Sequence, residues 1–269
     1  MLQRFLARVF ADPTGPWILK GGTGLLVRLP GARYSEDIDL VHPTVTLPAA
    51  IDELHALCGP VDLDPLTYRI GDATRMTGAA LGARLNLTAY LGTTRVDRFR
   101  LDLTVEPHLV AAVEHYHPRL VIDIDIADTT PPPPITLYPL PDQMADKVGA
   151  MGEHHRNGSA STRYRDLVDL VLIVTQCAID AASTRQALIT QHDRRNLTLP
   201  GSLVSPADHW VDGYHHIARS NRVEPTRLYD ALAVVGACLD PLLQNTIRTG
   251  TWNPTTHTRD PTARASSPR

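Results

Sequence analysis

The pattern of hydrophobic and polar positions changes partway along the 269-residue chain. In the first half, short apolar runs and period-two alternation predict strands, because successive side chains of a strand point to opposite faces of a sheet. Leu85, Leu87 and Ala89, for example, alternate with polar residues as they would on a half-buried strand. The predicted strands cover residues 17–20, 38–41, 66–70, 83–90, 96–106 and 121–126.

Apolar residues at helical spacing predict a short helix over residues 1–10 and another over residues 48–58. The same spacing dominates the second half of the chain. There, the predicted helices cover residues 141–151, 164–179, 182–194, 206–219 and 225–245. The sequence therefore predicts an α/β region followed by a helical one.

Four consecutive prolines, residues 131–134, lie between the two patterns. Such a run is stiff and extended, and it fits neither a sheet nor a helix. We therefore expect an α/β domain over residues 1–135 and a helical domain over residues 136–249. The tail, residues 250–269, is rich in threonine, proline and arginine, and this composition predicts disorder.

Composition narrows the functional classes. With 43% hydrophobic and 20% charged residues, the chain is typical of globular proteins. It has no apolar run near the roughly 20 residues that cross a bilayer and no signal-peptide pattern, so we expect a cytoplasmic protein without a membrane partner. Three widely spaced cysteines fit neither a disulfide framework nor a zinc site, and we expect them to be buried.

The most specific local pattern is a pair of aspartates at the start of the second predicted strand. Asp37 and Asp39 are two residues apart, so a strand presents both carboxylates on the same face. Two adjacent carboxylates are unfavourable unless a cation lies between them, and hard oxygen ligands suit magnesium. A solvated strand end is the alternative interpretation of so short a motif.

A glycine turn precedes this pair. Lys20-Gly21-Gly22-Thr23 lies at a strand-to-helix turn, where glycines let the backbone approach a phosphate and the helix N-terminus offers unpaired amides. The pattern matches neither a P-loop nor a dinucleotide-binding turn. An ordinary tight turn is the alternative.

A third acid, Asp102, lies among apolar residues on a predicted central strand and therefore needs a partner. A metal shared with Asp37 and Asp39 is one partner, and a salt bridge to Arg84 or Arg98 is the other. In the helical region, Asp166 and Asp169 are one turn apart on a strongly apolar helix. We expect at least one of them to be held by Lys147 or by an arginine at position 163 or 165.

Together, these features resemble the polymerase-beta-like nucleotidyltransferase fold, a mixed sheet followed here by a C-terminal helical domain. Four motifs in order resemble those of the AbiEii family of nucleotidyltransferase toxins, which includes the MenT toxins of mycobacteria. They are Lys20-Gly21-Gly22-Thr23, Arg33-x-Ser35-x-Asp37-Ile38-Asp39-Leu40, Gln143-x-x-Asp146-Lys147 and Arg163-x-Arg165-Asp166-Leu167-Val168-Asp169-Leu170.

The resemblance implies a toxin with a cognate antitoxin that transfers nucleotides from a nucleoside triphosphate, CTP or UTP being favoured, to the acceptor end of tRNA. It implies that Asp37 and Asp39 hold Mg²⁺, with Asp102 as a candidate third ligand. Lys147 and Asp166 would complete the catalytic site. The triphosphate would be bound by Lys20, Gly21, Gly22, Thr23, Arg33 and Ser35.

Two alternatives remain open at this stage. The first is transfer to a protein or a small molecule, because a pI of 6.4 gives no overall electrostatic signature of nucleic-acid binding. A local basic groove on the helical domain would favour RNA, and its candidate residues are Arg156, Arg163, Arg165, Arg194 and Arg195. The second is an inactive module that binds RNA or an antitoxin.

Overall fold

A computed structural model describes residues 1–29, 31–61, 64–76, 81–105, 109–117, 133–154 and 157–260. The predicted strand 121–126, the first two of the four prolines and Arg156 lie outside the described residues. The chain divides into two compact units. The first contains Met1–His108 and Val113–Tyr138, and the second contains Leu109–Ala112 and Pro139–Arg269.

The first unit combines a mixed sheet with three helices. The helices are α1 (Leu2–Val9), α2 (Gly21–Arg28) and α3 (Leu47–Ala56). The strands are β1 (Ile18–Lys20), β2 (Asp37–His42), β3 (Leu66–Ile70), β4 (Thr74–Arg75), β5 (Gly82–Leu91), β6 (Thr94–Val105), β7 (Glu114–Tyr116) and β8 (Ile135–Leu137). Their order is β3-β5-β6-β2-β1-β8-β7, with β4 paired to β5. The β2–β6 and β1–β8 pairs are parallel, and the other pairs are antiparallel.

The two faces of this sheet differ in chemistry because buried and more exposed side chains alternate along the middle of its central strands. Ile38, Leu85 and Leu101 point to one face and are fully buried. That face forms the core together with Phe5 of α1 and Leu54 of α3. Each such side chain contributes roughly 1.5–3 kcal/mol of transfer free energy when buried. Burial fixes the register of the strands, so the intervening polar residues must all lie on the opposite face.

The second unit is helical. Its helices are α4 (Leu140–Gly152), α5 (Tyr164–Gln176), α6 (Ala181–Arg194), α7 (Trp210–Ser220) and α8 (Leu228–Leu243). The apolar helix α5 is central and contacts α4, α7 and α8. The segment Leu109–Ala112 joins this unit through Asp142, whose carboxylate accepts hydrogen bonds from the amides of Val110 and Ala111 at 2.8 and 3.0 Å. No helix in the described part of either unit is long and apolar enough to cross a bilayer.

Residues 250–260 correct the expectation of a disordered tail. They contain the strands β10 (Thr251–Asn253) and β11 (Thr258–Asp260), and β10 also pairs with β9 (Ile179–Asp180). Trp252 is only 2% exposed, and its indole N–H donates to the carbonyl of Val174 at 2.7 Å. One buried tryptophan and backbone pairing therefore outweigh a composition that favours disorder. Residues 261–269 lie outside the described residues.

The three cysteines form no disulfide with one another. Cys58 and Cys238 are buried as predicted, whereas Cys177 is half-buried. Burial raises the pKa of the Cys58 thiol, and it raises the pKa of Cys238 to about 12.

Candidate active site

The polar face of the sheet in the first unit carries a row of four charged residues. In the strand register, Lys20 of β1 is paired with Asp39 of β2, Asp39 with Asp102 of β6, and Asp102 with Arg84 of β5. Directly paired residues share a face of the sheet. The row therefore places two acids between two bases across four neighbouring strands.

Two arginines hold two of the carboxylates. Arg84 donates from Nε and Nη2 to the two oxygens of Asp102, at 2.8 and 2.7 Å. Arg100, which is paired with Asp37 in the register, donates from the same two nitrogens to Asp37 at 2.9 and 3.1 Å. The salt bridge considered for Asp102 from the sequence is thus present. The hydrogen bond and charge of Asp102, with the charges of Asp37 and Asp39, raise the pKa of the Arg84 guanidinium.

The donor chemistry of this face fits magnesium. Asp37, Asp39 and Asp102 supply carboxylates from two adjacent strands on one face, and Mg²⁺ prefers carboxylate oxygens. No group of three or more His, Cys, Asp or Glu side chains in the described residues is spaced to hold a metal ion as it stands. However, Arg84 and Arg100 are 48% and 51% exposed, and exposed ion pairs of this kind exchange at little cost.

The glycine turn lies directly against Asp39. Helix α2 begins at Gly21, immediately after β1 ends at Lys20. Gly21 has a φ of +67°, and a Cβ there would lie 1.9 Å from Oδ2 of Asp39. A Cβ on Gly22 would lie 2.9 Å from Oγ of Ser35. The two glycines therefore bring the first amides of α2 close to the acidic row.

Thr23, Arg33 and Ser35 are brought to the same turn. The Thr23 hydroxyl donates to the carbonyl of Asp37 at 2.6 Å, and the Ser35 hydroxyl donates to that carbonyl at 3.4 Å. Nη2 of Arg33 lies 3.2 Å from the position of a Cβ on Gly22. The structure thus assembles all six predicted triphosphate-binding residues around the start of α2 and gives the hydroxyls of Thr23 and Ser35 a structural role as well.

Lys147 is at the centre of a buried ion cluster in the second unit. Its Nζ donates to Oδ2 of Asp169 at 2.6 Å and to Oδ1 of Asp166 at 3.2 Å. The three side chains are at most 7% exposed. Burial alone would raise the pKa of Asp166, but the charges of Lys147 and Arg163 outweigh it and hold that pKa below its usual 3.8. This confirms that a lysine and an arginine hold the two acids.

Two of the arginines proposed for a basic groove are engaged within the second unit. Arg195 is 15% exposed and donates to Glu153 and Asp146, and Arg163 donates to Asp166. The sequence did not indicate the role of Arg100. Its pairing with Asp37 depends on the parallel contact between β2 and β6, which are far apart in the chain and joined by no sequence signal.

The fold and the site together indicate the class of protein. A mixed sheet with clustered carboxylates on its polar face, beside a glycine turn that opens a helix, is the arrangement of a nucleotidyltransferase. Comparison gives the family: the profile described as "Nucleotidyl transferase AbiEii toxin, Type IV TA system" matches residues 4–238. The chain belongs to this family of nucleotidyltransferase toxins of type IV toxin–antitoxin systems.

The fold is similar to that of a solved structure. MenT4, a nucleotidyltransferase toxin from Mycobacterium tuberculosis H37Rv, matches with a TM-score of 0.57 and 16% identity, covering 91% of this chain and 82% of that one. JHP933 from Helicobacter pylori matches with a TM-score of 0.48 and 14% identity, covering 91% of this chain and 90% of that one. No curated protein sequence matches the chain. The predicted fold class and family are both confirmed.

Proposed function

We propose that this toxin is a magnesium-dependent enzyme that transfers a nucleoside monophosphate, derived from CTP or UTP, to the 3' end of tRNA and so blocks translation. A cognate antitoxin would restrain it. The observation that supports this most is the position of Asp37, Asp39 and Asp102 on one sheet face, beside the Gly21–Gly22 turn.

The chain's own groups are suited to binding a triphosphate. The N-terminus of α2 presents the positive end of a helix dipole, which favours phosphate. The glycines at positions 21 and 22 have no side chains that would block this end of the helix, while Lys20 and Arg33 add positive charge near it. Lys20 is also oriented by Tyr138, whose ring centroid lies 5.5 Å from its Nζ.

Asp37, Asp39 and Asp102 would hold the magnesium, which when bound supplies positive charge to the attacking and leaving oxygens. In the transfer, the acceptor's 3' hydroxyl oxygen forms a bond to the α phosphorus, and the bond from that phosphorus to pyrophosphate breaks. We assign the hydroxyl proton to Asp102, a carboxylate 17% exposed at the centre of the row. The contribution of the protein is mainly positioning and electrostatics.

Lys147 and Asp166 are proposed catalytic residues on the family resemblance. Lys147 is one of only two lysines in the chain, and ion pairs with two buried carboxylates fix the position of its ammonium group. A compact, oriented ammonium is suited to contact a phosphate group as a point charge.

The test is incubation of the purified protein with magnesium, each of four radiolabelled nucleoside triphosphates in turn, and total tRNA. A denaturing gel then shows what carries the label. We expect label on RNA from CTP or UTP, lost in Asp39→Asn and kept in Asp72→Asn, a matched substitution at an exposed position outside the row. Label on a protein or a small molecule would show that this molecule, and not tRNA, is the acceptor. No label on any molecule would favour an inactive binding module.

A further inference from the structure

Arg84 and Arg100 have no role in the function proposed above, yet they make the closest contacts to its carboxylates. We propose that both arginines bind the triphosphate. Before substrate binds, Arg84 pairs with Asp102 and Arg100 pairs with Asp37; when substrate binds, each arginine leaves its aspartate and pairs with phosphate oxygens instead. This inference rests on the proposed function and adds two substrate-binding side chains to it.

The geometry of the two pairs is the first argument. Each guanidinium donates two hydrogen bonds, from Nε and Nη2, to the two oxygens of one carboxylate. The same planar fork matches the oxygens of a phosphate group. A side chain oriented for the one anion is therefore oriented for the other.

Competition for the carboxylates is the second argument. Each arginine occupies one acceptor position on both oxygens of its aspartate and places a positive charge beside them, so it competes with a divalent cation for that carboxylate. Binding of magnesium to Asp102 and Asp37 therefore favours release of Arg84 and Arg100. Both arginines are about half exposed. Water can therefore solvate each guanidinium when it is released, which limits the free-energy cost of release.

The position of the released groups is the third argument. Arg84 stands in the same row as Asp39, two strands away and therefore at about 10 Å between backbones. Arg100 borders a cleft of about 250 Å³ that is also lined by Glu36, Asp37, Asn86, Arg98 and Phe99. This space lets the Arg100 side chain leave Asp37 without a change in the backbone. The released guanidinium groups would then be available to the oxygens of a bound triphosphate.

The exchange has a signature that a merely structural ion pair lacks. Removing either guanidinium frees a carboxylate, so the affinity for a divalent cation should rise. It also removes a phosphate contact, so the affinity for a triphosphate should fall. Two effects of opposite sign from one substitution distinguish exchange from support of the fold.

The experiment measures both affinities without relying on transfer. Mn²⁺ is titrated into the full-length protein and followed by electron paramagnetic resonance, and tripolyphosphate is titrated by calorimetry at saturating Mn²⁺. We expect Arg84→Gln and Arg100→Gln each to tighten Mn²⁺ binding about threefold and to weaken tripolyphosphate binding about tenfold. Arg95→Gln is the matched control, because it removes the same charge from β6 at about 23 Å along the strand from Asp102.

The lysine variants guard against loss of folding. Arg84→Lys and Arg100→Lys keep a charge but lose the two-point contact, so the changes in Mn²⁺ and tripolyphosphate affinity should have the same signs as in the glutamine variants and be smaller. Affinities that stay unchanged, or that move in the same direction, in variants with a cooperative melting transition would overturn the exchange. If the unmodified protein binds neither probe, the proposed function itself fails.

Discussion

The backbone of Gly21 lies directly against the carboxylate of Asp39. This backbone is in the left-handed region, and the space where a Cβ would stand is filled by the carboxylate of Asp39. Any other residue would have to displace Asp39 from the acidic row or open the start of α2. The glycine of the sequence motif is therefore required by a contact as well as by a turn.

We predict that Gly21→Ala costs more stability than backbone strain explains and removes transfer activity. Gly92→Ala is the matched control, since Gly92 has a similar φ of +60° and nothing within 4 Å of a Cβ. The control should lose only about 1–2 kcal/mol from the strained backbone. Denaturant unfolding and transfer assays on both variants check this, and equal losses would show that the contact with Asp39 is unimportant.

Lys147 has a larger structural role than its sequence motif indicates. The substitution Lys147→Ala leaves Asp166 and Asp169 buried without their shared cation. We predict a loss of about 3–5 kcal/mol in the free energy of unfolding, measured with denaturant.

The control for that loss removes the charges together. A triple variant, Lys147→Met with Asp166→Asn and Asp169→Asn, should recover much of the stability while staying inactive, because uncharged groups are less costly to bury. A single Lys147→Ala variant as stable as the unmodified protein would contradict the cluster. Asp39→Asn, on the half-exposed sheet face, should unfold like the unmodified protein.

At the scale of elements, the β10–β11 hairpin packs against the helices of the second unit. Its strand β10 pairs with β9, and Trp252 is inserted beneath it with a hydrogen bond to α5. Since the tryptophan is almost fully buried, the hairpin is held by side-chain packing as well as by backbone pairing. The helical unit thus depends on residues that follow its last helix.

We predict that Trp252→Ala lowers the free energy of unfolding by about 3–5 kcal/mol, as expected for a large buried aromatic residue. Trp252→Phe keeps most of the buried surface but loses the N–H that binds Val174, so its loss should be about 1–3 kcal/mol. Denaturant titration measures both. If the two variants lose the same amount, the hydrogen bond and not the packing is the main contribution.

Elements also show where sequence reasoning succeeded. The predicted hairpin of residues 83–90 and 96–106 corresponds to β5 and β6, because hydrophobic alternation is a local signal. The short strands β4, β7 and β9 carry too few residues to show any period. The position of β2 between β1 and β6 results from pairing between segments that are distant in the chain. Hydrophobic alternation does not predict such pairing.

At the scale of the whole molecule, each unit contains a carboxylate with a depressed pKa. Burial would raise the pKa of Asp64, but hydrogen bonds from Arg8, the Leu66 amide and Arg4 hold it below its usual value. Asp166 in the second unit behaves likewise. A depressed folded-state pKa contributes stability that is present above the unfolded value of 3.8 and is lost as the pH falls through the folded value.

We predict that the melting temperature falls as the pH is lowered below about 4, because the unfolded chain then takes up protons at these two carboxylates before the folded chain does. Asp64→Asn and Asp166→Asn should each melt lower at pH 7 but lose less on acidification. Asp142→Asn should melt higher at pH 7 and lose more on acidification. Burial raises the pKa of Asp142, so its protonation favours the folded state in acid, and the variant lacks this gain. Melting curves between pH 3 and 7 for all three variants check these signs.

The candidate site was predictable in its residues and only partly in their contacts. Motifs located Asp37, Asp39 and the glycine turn, because such chemistry needs particular residue types at short spacings. Arg100 could not be assigned, because its partner lies 63 positions away in the chain. Buried contacts such as Lys147 with Asp169 required a helix packing that apolar periodicity indicates only in outline.

The distribution of thiols has a practical consequence. Cys58 and Cys238 are buried with raised pKa values, so at neutral pH they are slow to react with a maleimide dye, whereas Cys177 is partly accessible at the end of α5. The unmodified sequence therefore carries one preferred attachment point for a fluorophore. A single reporter on the helical unit can follow antitoxin capture or substrate arrival without first removing any cysteine.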